Sequence, residues 1–519
     1  MIFFEIFKDG QLLQDDWSIA ENSYFNSGFK DSINTYFNGF ITRPIGALFL
    51  SLISILEYDF HKYFFINISI YFLYCLIIFK VIKNKYNKSI AVIIILLFLF
   101  PNFNSSNIFS PAAQSLGIIA LFFWSISFYL NYFGNIEKNN IKKNLSWIFF
   151  IFSILTYEVC FVLIFFNLFF HNNEITRIIN SVIKFKLSKF FKYKEIRIFL
   201  LVLIIIFSYQ VLFTKLTPFT VSNRYRILNS DTLFYIIEYS HIPFSLIIDS
   251  ILIFKNSFFI SKNYFYILLI ILIASFSFKF INLKELNVTK NKSNFYFIIL
   301  FSYLLFLFFF VIASSIPTLE GYNNRAMGAY NFIFIIFVAL LIINLKIPNN
   351  IKKIIFTFFI ILNTNLFIFQ INNNLISSKI RNDLLNKIVS KTNLENINKA
   401  YVFSLFPTYP NNNTFKQTIF SEESYDFNKA LLFKSNRKLS GVRLYKKIEC
   451  QKNFSSQIQL DKIIFFNPSR TKRSDQLEKN QITKKHNEKF IIYDYYNDRL
   501  IIFKDDIKEL NLNKLINCN

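Results

Sequence analysis

Nine apolar runs, at residues 63–79, 89–101, 112–130, 147–170, 198–213, 264–278, 295–314, 328–345 and 354–369, dominate this sequence. A bilayer core asks for roughly 20 consecutive apolar residues per helical crossing, and these runs reach or approach that length. The composition agrees: 53% of the 519 residues are hydrophobic and only 17% are charged, where a soluble domain carries about a quarter charged. The expected fold is therefore an α-helical polytopic membrane protein with about 9–12 transmembrane or half-membrane helices. After residue 376 the apolar runs stop. Strand-like runs at 400–406, 462–466, 490–493 and 500–503 then alternate with polar, helix-compatible stretches, which predicts a C-terminal mixed α/β soluble domain over 377–519.

The 71 Phe and 28 Tyr against 9 Gly and 10 Pro read as codon usage biased toward A and T. Each Lys or Asn then carries less meaning than usual, and the net charge of +25 implies no nucleic-acid partner. Basic residues still set orientation, because basic loops stay on the cytoplasmic side. Loops 80–88, 131–145, 171–197, 279–294 and 346–353 hold 4, 3, 7, 4 and 3 basic residues, whereas 102–111, 214–232 and 315–327 hold 0, 3 and 1. Residues 1–40 carry six acids against Lys8 and Lys30, so they form an outer loop with an acidic motif. A loop exported in this way needs a preceding hydrophobic helix, which is expected upstream of Met1.

Parity makes two demands on the membrane domain, residues 41–376. The run 41–56 does not cross and is expected as a juxtamembrane helix on the outer face. The run 147–170 lies between two basic loops, and its 24 residues are too few for two full spans. It is read as a pair of short helices bending at 156–158, with one plain helix as the alternative. A further outer-face helix is expected at 233–254, where Glu238, His241 and Asp249 share one stripe. The last helix exports the C-terminal domain, which carries 26 basic and 15 acidic residues; long domains translocate largely regardless of charge. The expected location is the inner membrane, with that domain periplasmic.

Once the topology is drawn, the unusual polar residues converge on the outer face. Asp15, Asp16 and Trp17 lie in the first outer loop, Arg43 and Pro44 open the juxtamembrane run, and Asn102 follows the helix that ends at Pro101. Glu158 sits at the bend, Arg224 and Arg226 lie in a later outer loop, and Glu320, Tyr322 and Arg325 in another. Ionisable groups at bilayer depth are costly and default to functional candidates. Together they suit transfer of a sugar from a lipid phosphate. Asp15 or Asp16 would act as general base, or hold a divalent cation such as Mg or Mn, and the guanidinium groups would grip the phosphate. The plainer readings are a solvated Asp-Asp loop, an interfacial anchor at Arg43 and a structural hydrogen bond at Glu158.

The order of these features resembles the GT-C superfamily of polytopic glycosyltransferases that use polyprenyl-phosphate sugars. The resemblance is carried by QDDW at 14–17, TRPIG at 42–46, FLFPNFNSS at 98–106, LTYEVC at 155–160 and EGYNNRAMGAY at 320–330, and it spans roughly residues 10–375. It implies an inverting transfer on the outer face, with the first-loop aspartate as base. The donor would be a polyprenyl-phosphate-linked sugar in the membrane lipid, and the acceptor an envelope glycan or glycolipid. Arg43, Arg224, Arg226 and Arg325 would bind the donor phosphate, while Glu158, Asn102, Glu320 and Tyr322 support the cavity.

The remaining chemistry is sparse. Cys450 and Cys518 share the polar C-terminal stretch and pair as a disulfide if that domain faces an oxidising compartment. His61, His171, His241 and His486 are too scattered for a metal site. Two rivals to an enzyme remain: a transporter or lipid flippase, whose usual mark is an internal repeat with paired broken helices, and a non-catalytic envelope-assembly scaffold.

Overall fold

The computed structural model describes residues 16–17, 19–20, 29–39, 43–55, 60–86, 88–99, 108, 115–170, 197–205 and 208, single positions between 248 and 278, then 292–312, 326–392, 400–405, 420, 425–444, 458–459, 462–468, 477–483, 489–494 and 498–503. These residues are mostly helical and divide into two compact units. The first comprises Met1–Asp9 and Ser27–Asn373, the second Gly10–Asn26 and Asn374–Asn519.

In the first unit the helices are α1 (Phe29–Gly39), α2 (Pro44–Ile55), α3 (Phe60–Lys85), α4 (Lys88–Phe98), α5 (Ser115–Ile136), α6 (Asn140–Thr156), a 3-10 helix (Glu158–Leu163), α7 (Ile164–Phe169), α8 (Lys292–Ile312) and α9 (Gly328–Asn344). The division between units falls within α10 (Asn349–Lys391). Among the described residues, α3, α5 and α10 are long and apolar enough to cross a membrane, which points to membrane association. α3 shows why: Phe65, Phe72, Leu73 and Leu76 form an exposed apolar stripe on one face, a surface suited to lipid. Lys83 and Lys85 close its last turn, and the Lys85 ammonium lies 5.6 Å from the centre of the Phe170 ring.

α5 and α6 form a tight antiparallel pair. Gly134 lets the two backbones close in, since a Cβ there would meet Lys142 Cβ at 3.0 Å and the Lys143 amide nitrogen at 3.1 Å. The chain reverses through Lys138 at φ 53°, and the Asn139 N–H donates to the Gly134 carbonyl at 2.9 Å. Asn139 then caps α6 by accepting from the Lys142 amide at 3.1 Å. Higher up, Ser153 Oγ donates to the Ala120 carbonyl at 2.7 Å. Asn131 of α5 also donates to the Asn167 carbonyl and Asn167 Nδ2 to Ser127 Oγ at 2.6 Å. Between helices in lipid, packing and such polar bonds, rather than a hydrophobic drive, hold the bundle.

The core is a ladder of rings. Tyr71 leans on Tyr74, Tyr74 meets Phe98 edge-on at 6.0 Å, Phe98 stacks on Phe332 at 5.4 Å, and Phe332 meets Trp124 edge-on at 4.6 Å. Trp124 stacks on Phe128 at 5.2 Å, which meets Phe170 at 4.8 Å. Offset and edge-on ring pairs each contribute about 0.5–1.5 kcal/mol beyond their burial. The ladder ties α3, α4, α9 and α5 together. It also fixes the end of α4: the Tyr71 hydroxyl donates to the Phe98 carbonyl and Asn363 Nδ2 to the Leu97 carbonyl at 2.7 Å. These are carbonyls that a helix end leaves without an intrahelical partner.

In the second unit, strands β1 (Ala400–Leu405), β2 (Leu439–Leu444), β6 (Lys489–Asp494) and β7 (Arg499–Phe503) form a sheet in the order β2-β1-β6-β7. β1 runs parallel to β2 and β6, and β6 pairs antiparallel with β7. Strands β3 (Ile458–Gln459), β4 (Lys462–Pro468) and β5 (Leu477–Thr483) make a separate antiparallel set. Helix α11 (Tyr425–Lys434) packs on β2. Its end is closed by Asn436 and Arg437 at φ 50° and 63°, with the Arg437 N–H donating to the Leu432 carbonyl at 2.7 Å.

Asp498, at φ 48°, leads into β7 and is clamped to the end of α10. Lys391 Nζ lies 2.9 Å from its carboxylate, the Tyr493 hydroxyl donates to it at 2.7 Å, and Lys387 stands at 3.7 Å. The hydrogen bond from Lys391, followed by that from Tyr493, holds this carboxyl at about 2, below its ordinary value of 3.8. A depressed carboxyl contributes stability that is full above the unfolded value of about 3.9 and is lost as pH falls toward the folded one. Melting curves between pH 5 and pH 2 should therefore show a small acid loss in the wild type that Asp498→Asn lacks. Parallel curves would contradict this. The effect stays small because the pair is exposed and screened.

Candidate functional site

Arg43 ends the approach to α2. Its carbonyl accepts the Ala47 N–H at 2.8 Å, and Pro44 follows at the first helical position, where its missing N–H costs nothing. The 12 residues of α2 are too few to cross a bilayer on their own. In α6, the helix stops at Thr156 because Tyr157 adopts an extended conformation, φ −155° and ψ 111°. A 3-10 helix begins at Glu158. The interruption falls within the predicted bend at 156–158.

These two breaks meet. Arg43 Nε donates to Glu158 Oε2 at 2.7 Å and Arg43 Nη2 to Glu158 Oε1 at 2.5 Å. The guanidinium carbon also lies 4.5 Å from the centre of the Tyr157 ring. The pair is thus bidentate, the geometry in which a planar guanidinium is held most firmly, with a cation–π contact on one face. The side chains keep 19% and 14% of their exposure, so the site is half-buried yet reachable. A guanidinium has five N–H donors. Two of them serve Glu158.

Gly46 brings the segments close enough. A Cβ there would stand 3.2 Å from the Thr156 carbonyl oxygen and 3.2 Å from Leu116 Cδ2. Gly46→Val is expected to push α2 off α6 and to destabilise the protein by about 1–3 kcal/mol, with Gly46→Ala intermediate. Thermal midpoints of the detergent-solubilised protein check the order; equal midpoints for all three would contradict the close approach.

The other predicted residues fare differently. Asp16 is fully buried, beside Trp17 at 2% exposure, and both belong to the second unit. Asp15, Asn102, Arg224, Arg226, Glu320, Tyr322, Arg325, Cys450 and Cys518 lie outside the described residues, as does the helix expected at 233–254 apart from two positions. The described cysteines, Cys75 and Cys160, are buried free thiols. Among the described residues no three His, Cys, Asp or Glu side chains gather as a metal-ligand set. Sequence reasoning gave Arg43 and Glu158 separate roles and missed Tyr157 as the ring beneath the guanidinium. The available signal was two opposite charges, each set in an apolar stretch beside a helix break.

No family model, no curated protein and no solved structure matches this chain.

Proposed function

We propose that this chain is an integral-membrane glycosyltransferase of GT-C type. It moves a sugar from a polyprenyl-phosphate donor to an envelope glycan or glycolipid acceptor on the outer face of the inner membrane, with inversion. The observation that carries the reading is the Arg43–Glu158 pair. Two segments 115 residues apart, each resembling a different feature of that superfamily, supply a held cation and the carboxylate that orients it. A lipid-linked phosphate is the anion such a half-buried fork at a juxtamembrane helix start would meet.

In this reading Asp15 or Asp16 takes the proton of the acceptor hydroxyl as the acceptor oxygen bonds to the anomeric carbon. The bond from that carbon to the phosphate oxygen breaks, and its electron pair leaves on the phosphate. Arg43, joined by Arg224, Arg226 and Arg325, stabilises the charge developing there, while Glu158 holds Arg43 in place. Asn102, Glu320 and Tyr322 line the cavity. A divalent cation, Mg or Mn, would be held by Asp15 and Asp16 and would add charge at the phosphate; no step above runs through it. The membrane bundle of 9–12 helices and the periplasmic α/β domain with its Cys450–Cys518 disulfide complete the proposal.

The test is mass spectrometry of envelope glycans and glycolipids from a strain lacking the gene. A single sugar mass should disappear and return with the wild type, but not with Arg43→Gln or with Asp15→Asn, Asp16→Asn. Return of that mass with both variants at equal protein levels would favour a scaffold. An unchanged glycan profile on deletion would favour a transporter of other cargo.

A further inference from the structure

We propose that α11 is the positioning element for the acidic motif, so that the base of the proposed reaction is held by the same unit that contains α11. The catalytic half of this inference rests on the glycosyltransferase reading; the placement does not.

Four observations carry it. Residues 10–26 group with 374–519 and not with the membrane bundle that follows them in sequence. Asp16, Trp17, Ile19 and Ala20 are all buried, at 0%, 2%, 3% and 0% exposure. The Trp17 ring lies 6.0 Å from the Phe433 ring, tilted by 53°, within the range of favourable aromatic pairs. Phe433 itself is fixed, because α11 buries Phe427, Ala430 and Leu431 completely and Phe427 meets Phe420 edge-on at 5.3 Å. The Ser435 hydroxyl then accepts the Leu439 N–H at 2.9 Å, locking the exit of α11 into β2. A two-ring contact on so well-braced a helix sets where Trp17 stands, and Asp16 is its immediate neighbour.

A carboxylate that works as a base must be held within a fraction of an ångström of its partner, and misplacement by about 1 Å costs on the order of 100-fold in rate. Phe433 is thus a positioning residue that acts through Trp17 on Asp16. Grouping in one compact unit also requires residues 10–26 and 374–519 to lie on the same side of the membrane.

The placement is tested in the full chain, in membranes, with the four native cysteines replaced by alanine. Trp17→Cys with Phe433→Cys should be joined efficiently by a short bifunctional thiol reagent, and Trp17→Cys with Lys434→Cys poorly, read by mass spectrometry of the linked peptides. Equal joining of the two pairs would overturn the placement. The role is tested in the deletion strain at equal protein levels. Phe433→Ala should lower the restored sugar mass at least tenfold and Phe433→Tyr should rescue it; full restoration by Phe433→Ala would overturn the role. If Asp15→Asn, Asp16→Asn also restores the sugar, the glycosyltransferase reading fails while the linking result still decides the placement.

Discussion

Glu158→Gln should lower the stability of the membrane bundle and, on the glycosyltransferase reading proposed above, remove the sugar product with it. Removing one partner of a buried ion pair costs about 3–5 kcal/mol, since the other charge is left in a poor solvent. At 19% and 14% exposure the pair belongs near the lower end, about 3 kcal/mol. Arg43→Gln should match it in stability. The exchange Arg43→Glu with Glu158→Arg separates the two effects. It restores a counter-charged pair, so the thermal midpoint should recover in part, yet it moves the cation from the start of α2 to the 3-10 helix, so product should stay absent. Arg43→Lys should fall between, keeping the charge but losing the fork. A Glu158→Gln protein with wild-type midpoint and wild-type product would end the case for this pair as either pin or site.

The second large effect is in the ring ladder. Trp124 is fully buried and touches Phe128, Phe166 and Phe332, joining α5 to α7 and α9. Trp124→Ala should destabilise the bundle by about 4 kcal/mol through lost contacts and the cavity left behind. Trp124→Phe should cost much less. Among the described residues Nε1 of Trp124 has no hydrogen-bond partner, so its removal forfeits no bond and relieves an unsatisfied donor. Thermal midpoints or aggregation temperatures in detergent distinguish the two, and a Phe variant as damaged as the Ala variant would show that the indole N–H carries a bond after all.

Which parts of this were legible in the sequence follows from what each signal measures. Hydropathy measures burial in lipid, so it located α3 and α5 well, but it set the last span at 354–369 where α10 runs to Lys391. The stretch after Phe369 is polar, with Gln370 and Asn372–Asn374, yet it remains helical. Charge logic and chain length placed the interruption at 156–158, because a 24-residue run between two basic loops fits neither one span nor two. Alternation of apolar residues found the runs that become β1, β4, β6 and β7. Pairing was beyond reach: nothing in local spacing links Arg43 to Glu158, Tyr71 to Phe98, or Trp17 to Phe433. Those contacts are set by how helices close on one another. The wider outer-face cluster, from Asn102 to Arg325, stands as expectation.

The composition of the second unit, Gly10–Asn26 with Asn374–Asn519, has a consequence for the order in which the protein is made. A ribosome adding about 5–20 residues per second finishes residue 26 long before residue 374 emerges, an interval of roughly 20–70 s. The α5–α6 pair, built from neighbours in sequence, closes early and quickly, and Arg43 can meet Glu158 only after the 115 residues between them have been made. The partner of Trp17 arrives last. A chain that stalls or is cut before α11 therefore holds the helices of the first unit but lacks the ring against which Trp17 packs.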